Sequence, residues 1–285
     1  GLLNVLSQTS RIDNYELDLI KVHNELNKIN YNYSENKKIE NTEIKIFLNQ
    51  INEILDKNQI GIDLNLVQTF KENELELNCK RHHKIFNKHN IIPEFCYGCY
   101  KVQIEPSTVI DLIKMYIIFD NINLQNNNIR KCTIELRQNI PGNYKSLIYC
   151  NTIQEAENIS KKMSEIIKKK INNKINLRIK RGCSEFGIKF PQYNNLNENF
   201  MVYNNSWKKY ENIFDNENLD FIYEKKTRPT IKGVTLFDAV VIRNWLAFAK
   251  LIGDNSYKLI SERDFFSKFI EEQIKFKSLQ KQKLN

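Results

Sequence analysis

Between Tyr100 and Lys180, four short alternating runs and two helical stripes follow one another in an order that few folds accommodate. Tyr100-Lys101-Val102-Gln103-Ile104-Glu105 alternates apolar and polar residues, as a strand with one buried face does. Pro106-Ser107-Thr108 opens a helix whose apolar stripe is Val109, Leu112, Ile113 and Tyr116. Cys132 to Arg137 alternates again, Pro141-Gly142 is a turn signal, and Lys145 to Cys150 completes a hairpin. Thr152 and Glu155 have capping-box spacing and start a helix carrying Ala156, Ile159, Met163, Ile166 and Ile167. Asn176 to Lys180 is a fourth strand, stopped at Gly182. Strand, helix, strand, strand, helix, strand is the ferredoxin-like βαββαβ pattern. It implies an α+β fold with a four-stranded antiparallel sheet, since right-handed crossovers leave few alternatives.

The chain has 285 residues, more than such a core needs, so helical additions are expected on both sides. Residues 1–95 read as a helical N-terminal region with a Cys/His segment, 96–190 as the core, and 191–285 as a connecting segment and C-terminal helices packed on the core. Leu17, Ile20, His23 and Leu26 fall at helical spacing, as do Ile44, Phe47, Leu48, Ile51 and Leu55. Leu75 to Cys79 reads as a short strand. Thr235 and Asp238 open a long helix that Gly253-Asp254-Asn255 ends, and Ser261 with Asp264 opens a last one carrying Phe265, Phe266, Phe269 and Ile270.

The chemistry lies in the six cysteines. In the βαββαβ order, strands one and two begin at the sheet edge where strands three and four end. Cys96, Cys99, Cys132, Cys150 and Cys183 all fall at that edge, so they are expected to converge. Zinc takes four Cys or His ligands, and an iron–sulfur cluster takes thiolates with one pair often spaced Cys-x-x-Cys. A second grouping competes. Cys79-x2-His82 and Cys96-x2-Cys99 are separated by thirteen residues, a zinc-ribbon-like spacing with His83 also in reach. Nearby histidines favour zinc slightly over iron–sulfur. Without metal, a thiolate beside basic residues is a nucleophile. Cys183 or Cys99 is then the candidate, with Glu185 or a histidine as base and Arg181 or Arg178 holding an anionic substrate. Buried free thiols with no chemistry are the third reading.

With helices on one sheet face, the other carries Lys101, Gln103, Thr133, Glu135, Arg137, Arg178 and Lys180. Lys101, Glu135, Arg137, Arg178 and Lys180 form a candidate anion or substrate surface. It offers no aromatic platform for stacking bases apart from Tyr149. The net charge is +9, and Lys161 to Lys189 holds ten basic residues against Glu165 and Glu185, so nucleic acid or another polyanion is a candidate partner. No apolar run is long enough to span a membrane. The apolar N-terminal stretch is broken by Asn4, Gln8 and Arg11 and lacks the flanks of a secretory signal, so a cytoplasmic protein with reduced thiols is expected.

Overall fold

The computed structural model describes residues 15–60, 65–71, 77–137, 140–219 and 232–283. Within them the chain is a mixed α+β protein, with nine helices and one five-stranded sheet in which every neighbouring pair is antiparallel. The strands are β1 (Gln68–Lys71), β2 (Tyr100–Glu105), β3 (Arg130–Ile134), β4 (Tyr144–Cys150) and β5 (Asn176–Arg181), in the spatial order β1-β3-β4-β2-β5. The helices are α1 (Tyr15–Asn27), α2 (Asn41–Lys57), α3 (Cys79–His89), α4 (Val109–Asn121), α5 (Ile153–Lys170), α6 (Ser184–Lys189), α7 (Lys208–Glu217), α8 (Leu236–Ile252) and α9 (Lys268–Lys283).

Four of the strands are those expected, and the fifth corrects the expected four-stranded sheet. β1 pairs with the outer edge of β3, Thr69 opposite Cys132 and Lys71 opposite Arg130. Its short run Gln68-Thr69-Phe70-Lys71 has too little alternation to stand out in the sequence. What secures it is tertiary: the Lys71 ammonium is buried 2.8 Å from Asp120 and 3.4 Å from Asp238, and donates to the Gly233 carbonyl at 2.6 Å. Leu77 and Asn78 are not strand, and Cys79 opens α3; Leu75 and Glu76 lie outside the described residues.

Strand alternation splits the sheet into two faces. Tyr100, Val102, Ile104, Cys132, Ile134, Tyr144, Ile148 and Cys150 join the main core, with α4 and α5 packed against them. α4 is buried from Val109 to Phe119, and its N-terminus is capped by Thr108, which accepts from the Asp111 N–H at 3.2 Å. α8 starts in a reciprocal Thr235/Asp238 capping box and ends at Gly253, as the sequence indicates. The stripe Ile44, Phe47, Leu48, Ile51 and Leu55 is buried as expected. α1 instead buries Leu19, Val22 and Leu26 and leaves Ile20 exposed, while the Leu17 side chain lies outside the described residues. The last helix begins at Lys268, beyond Phe265 and Phe266. Among the described residues no helix is long and apolar enough to cross a membrane.

A second, smaller apolar cluster sits at the end of the sheet where β2 begins and β5 ends. Phe86 of α3, Ile92, Cys96, Tyr97, Phe186 of α6 and Tyr193 pack together there. This cluster positions the site.

Candidate active site

Cys183 is placed by the turn that follows β5. Gly182 has φ +52°, and a Cβ at that position would collide with the Tyr193 hydroxyl and lie 2.5 Å from Tyr193 Cζ. Only glycine fits both the left-handed backbone and the close approach. The Gly182 N–H donates to the Cys99 carbonyl at 2.7 Å, and the Tyr193 hydroxyl donates to the Cys96 carbonyl at 2.5 Å. The turn after β5 is thereby tied to the Glu94–Gly98 turn, and Cys183 leaves it at the start of α6.

His83 reaches the thiol from α3. Arg81 anchors that helix to α7, donating to Asp215 at 2.7 and 2.8 Å and to Glu211 at 3.0 Å. Adjacent histidines on a helix point about 100° apart. His82 accordingly turns into the interior, stacked on Phe95 with ring centres 5.1 Å apart, and burial lowers it to about 4. His83 lies one turn beyond Cys79, packs on Phe186 at 5.4 Å and brings a ring nitrogen within 4.8 Å of the Cys183 sulfur. Ligand atoms of His83, Cys183 and Glu185 all lie within 4.8 Å of one another, and each side chain is half-buried. Glu185 is paired with Arg137.

The electrostatics single out one thiol. Burial pushes Cys183 up, but the Lys101 ammonium and the neighbouring His83 outweigh it and hold the thiol below its ordinary value. The neighbouring Cys183 raises His83 against the opposing effect of burial. Burial raises every other cysteine: Cys79 to about 11, Cys99, Cys132 and Cys150 to about 12, and Cys96 well above its usual range. Cys183 and His83 are therefore biased toward a thiolate–imidazolium pair.

The expected thiol groupings are not assembled. Among the described residues, His83, Cys183 and Glu185 are the one group of three or more His, Cys, Asp or Glu close enough to hold a metal ion. Cys150 lies at the sheet end where β2 begins but on the other face, and Cys132 is not at that end: β3 starts at Arg130, and Cys132 pairs with Ser146, level with Ile104 toward the far end of β2. Cys132 lies among the helix-side residues, 3.3 Å from the Ser146 hydroxyl, and Cys150 stands opposite Tyr100 on that same side. Cys99 precedes Tyr100 and points the other way. Cys79, Cys96, Cys99 and Cys183 influence one another's ionisation, yet not all at ligand distance. Arg181 is not at the thiol either. It is buried opposite Tyr100, donates to the carbonyls of Tyr97 and Met201 at 3.1 Å each, and lies over the rings of Tyr97 and Tyr193.

The polar sheet face has the expected membership, but Lys101, Gln103, Thr133 and Glu135 on it are buried. Most of its charges are committed. Glu135 accepts from Arg137 and Lys145, each at 2.7 Å; burial pushes it up, but these cations hold it at about 2, too acidic for acid–base work at neutral pH. Arg178 pairs with Glu105 at 2.6 Å, and Lys180 donates to the Ser184 hydroxyl at 2.8 Å. The basic run from Lys161 to Lys189 is dispersed. Lys161 and Lys168 line an open groove of about 610 Å³ between α5 and β5, away from the thiols. Lys162 donates to the Asn123 carbonyl, Lys169 to Asn36 and Lys189 to Asn90, while Lys170 is buried on the carbonyls of Ser34 and Lys37.

In the sequence Lys131 has no assigned role, Tyr149 counts only as a stacking exception, and which histidine partners Cys183 stays open. The Cys79-x3-His83 spacing, which puts both side chains on one helix face, was the available signal. Fold and site together define an α+β protein with a Cys–His–Glu group beside a lysine-bearing sheet face. Compared with family models, curated proteins and solved structures, the chain matches none.

Proposed function

We propose that the protein is a cysteine-dependent enzyme in which Cys183 is the nucleophile and His83 its acid–base partner. The observation that carries this reading is the close, half-buried group of His83, Cys183 and Glu185, with the Lys101 charge acting on the sulfur. Cys183 sulfur attacks an electrophilic centre, the bond to the leaving group breaks, and the proton on His83 passes to that group. Glu185, held by Arg137, positions His83 and favours its charged form. The surrounding sheet is a ferredoxin-like core, β2 to β5 with α4 and α5, extended by β1. A cytoplasmic setting fits a working thiolate.

A metal centre is the second reading, supported by the same three ligand atoms, which suit zinc with one open position. The cations around the sulfur and the engagement of Glu185 by Arg137 weigh against gathering a divalent cation there. A nucleic-acid or polyanion surface has less support, because its lysines are dispersed. The test pairs mass spectrometry after brief exposure to a chloroacetamide with metal analysis of the purified chain. We expect Cys183 to be labelled first among the six cysteines and His83→Gln to slow it. Stoichiometric zinc with Cys183 protected would select the metal reading, and uniform slow labelling without metal would reject both.

A further inference from the structure

Three lysines on the polar face, Lys101, Lys131 and Lys180, have no carboxylate partner among the described residues; Lys180 is engaged by the Ser184 hydroxyl, and the charges of Lys101 and Lys131 reach the reactive thiol. Lys101 stands on β2 and Lys131 on β3, with β4 between them and Lys131 two residues along in the register, so their backbones are about 12 Å apart on the diagonal. Tyr149 of β4 faces Lys101 directly in the register, and the Lys101 ammonium is 5.7 Å from its ring centre. The other cations of the face are spent on Glu135, Glu105 and Ser184. Lys131 makes one long hydrogen bond to the Gln68 amide oxygen, at 3.3 Å, and lies over the Phe70 ring. Lys101 and Lys131 repel one another, and both act on the thiols of the site, Lys101 on Cys183 and each of them on Cys79. The Tyr149 hydroxyl is within electrostatic reach of Cys79, Cys99 and Cys183. Lys131, Tyr149, Cys79 and Cys183 are each half-buried, so the place is reachable from solvent.

Resting on the thiol reading above, we infer that Lys101, Lys131 and Tyr149 form a phosphoryl-binding subsite and that the substrate of Cys183 carries a phosphate group. Three donors on three adjacent strands match the three terminal oxygens of a phosphomonoester, and two ammonium charges match its dianion. A carboxylate has one oxygen and one charge fewer. Bringing two long lysine side chains together without an internal anion costs repulsion, which a bound dianion relieves. Binding also sets the phosphoryl group beside the Cys183 sulfur, where the nucleophile can address it or the carbon bearing it.

The test uses the full chain with inorganic phosphate as the probe. Iodoacetamide alkylation of Cys183 is followed by mass spectrometry of its peptide, in phosphate and in chloride of equal ionic strength. We expect phosphate to slow alkylation several-fold in a saturable way. Lys131→Met should lose the protection, measured as phosphate against chloride within that variant, and Lys131→Arg should keep it. Phosphate binding by calorimetry is a second readout that does not need a reactive thiol. A reactive Cys183 that phosphate protects no better than chloride overturns the subsite and leaves the nucleophile standing. A slow Cys183 with saturable phosphate binding overturns the nucleophile and leaves the subsite.

Discussion

Gly182→Ala is the substitution that loads the site's scaffold most directly. The residue sits at φ +52°, where an L-residue costs roughly 1–2 kcal/mol over glycine. The new Cβ would also meet the Tyr193 ring, 2.5 Å from Cζ and 2.6 Å from Cε1, so the ring must move. Moving it breaks the hydroxyl's bond to the Cys96 carbonyl, and leaving such a buried acceptor unpaired costs about 1–3 kcal/mol. Together these give about 2–5 kcal/mol of destabilisation, read as a shift in the urea midpoint at unchanged slope. Tyr193→Phe alone loses only the hydrogen bond, about 1–3 kcal/mol. The double variant should be no more stable than Gly182→Ala, because the ring carbons still collide. Parental stability in Gly182→Ala would refute the reasoning that this turn is fixed by contact with Tyr193, and recovery in the double variant would place the collision on the hydroxyl alone rather than on the ring.

Three further outcomes follow from the same geometry. Lys71→Met should cost about 3–5 kcal/mol in chemical denaturation, because it strands Asp120 and Asp238 without their shared cation; a cost near zero would mean β1 is held by something else. Glu135, held at about 2 against an ordinary 4.5, stabilises the fold above the ordinary value and loses that contribution as pH falls from about 4.5 to about 2. A stability titration should show about 3 kcal/mol lost across that window in the parent and much less in Glu135→Gln. Cys132→Ala and Cys150→Ala should lower stability yet leave Cys183 alkylation unchanged, whereas a slowed Cys183 would restore the shared-thiol arrangement.

Periodicity made β2 to β5 and the α4, α5 and α8 boundaries legible, because each pairs an apolar alternation or stripe with a cap or turn. β1 was hidden because its four residues draw their stability from Lys71 and two distant carboxylates rather than from local pattern. α7 was hidden in a polar stretch, where its Glu211 and Asp215 serve the remote Arg81. For the thiols, strand direction put Cys150 at the end where β2 begins, but the register of β3 carries Cys132 toward the other end, and side-chain alternation decided the face. That alternation sends Cys132 and Cys150 into the core and leaves Cys183 with His83. The histidine choice depended on helix phase: reading Cys79 as the end of a strand hid the turn that aligns it with His83 rather than His82.

The central claim is that His83 and Lys101 lower the Cys183 thiol below its ordinary value. It is tested by the pH dependence of Cys183 alkylation in the parent and in His83→Gln. The account requires a parental midpoint below the ordinary thiol value of about 8.5 and an upward displacement when His83 is replaced. A parental midpoint at or above the ordinary value, unmoved by the substitution, would contradict it.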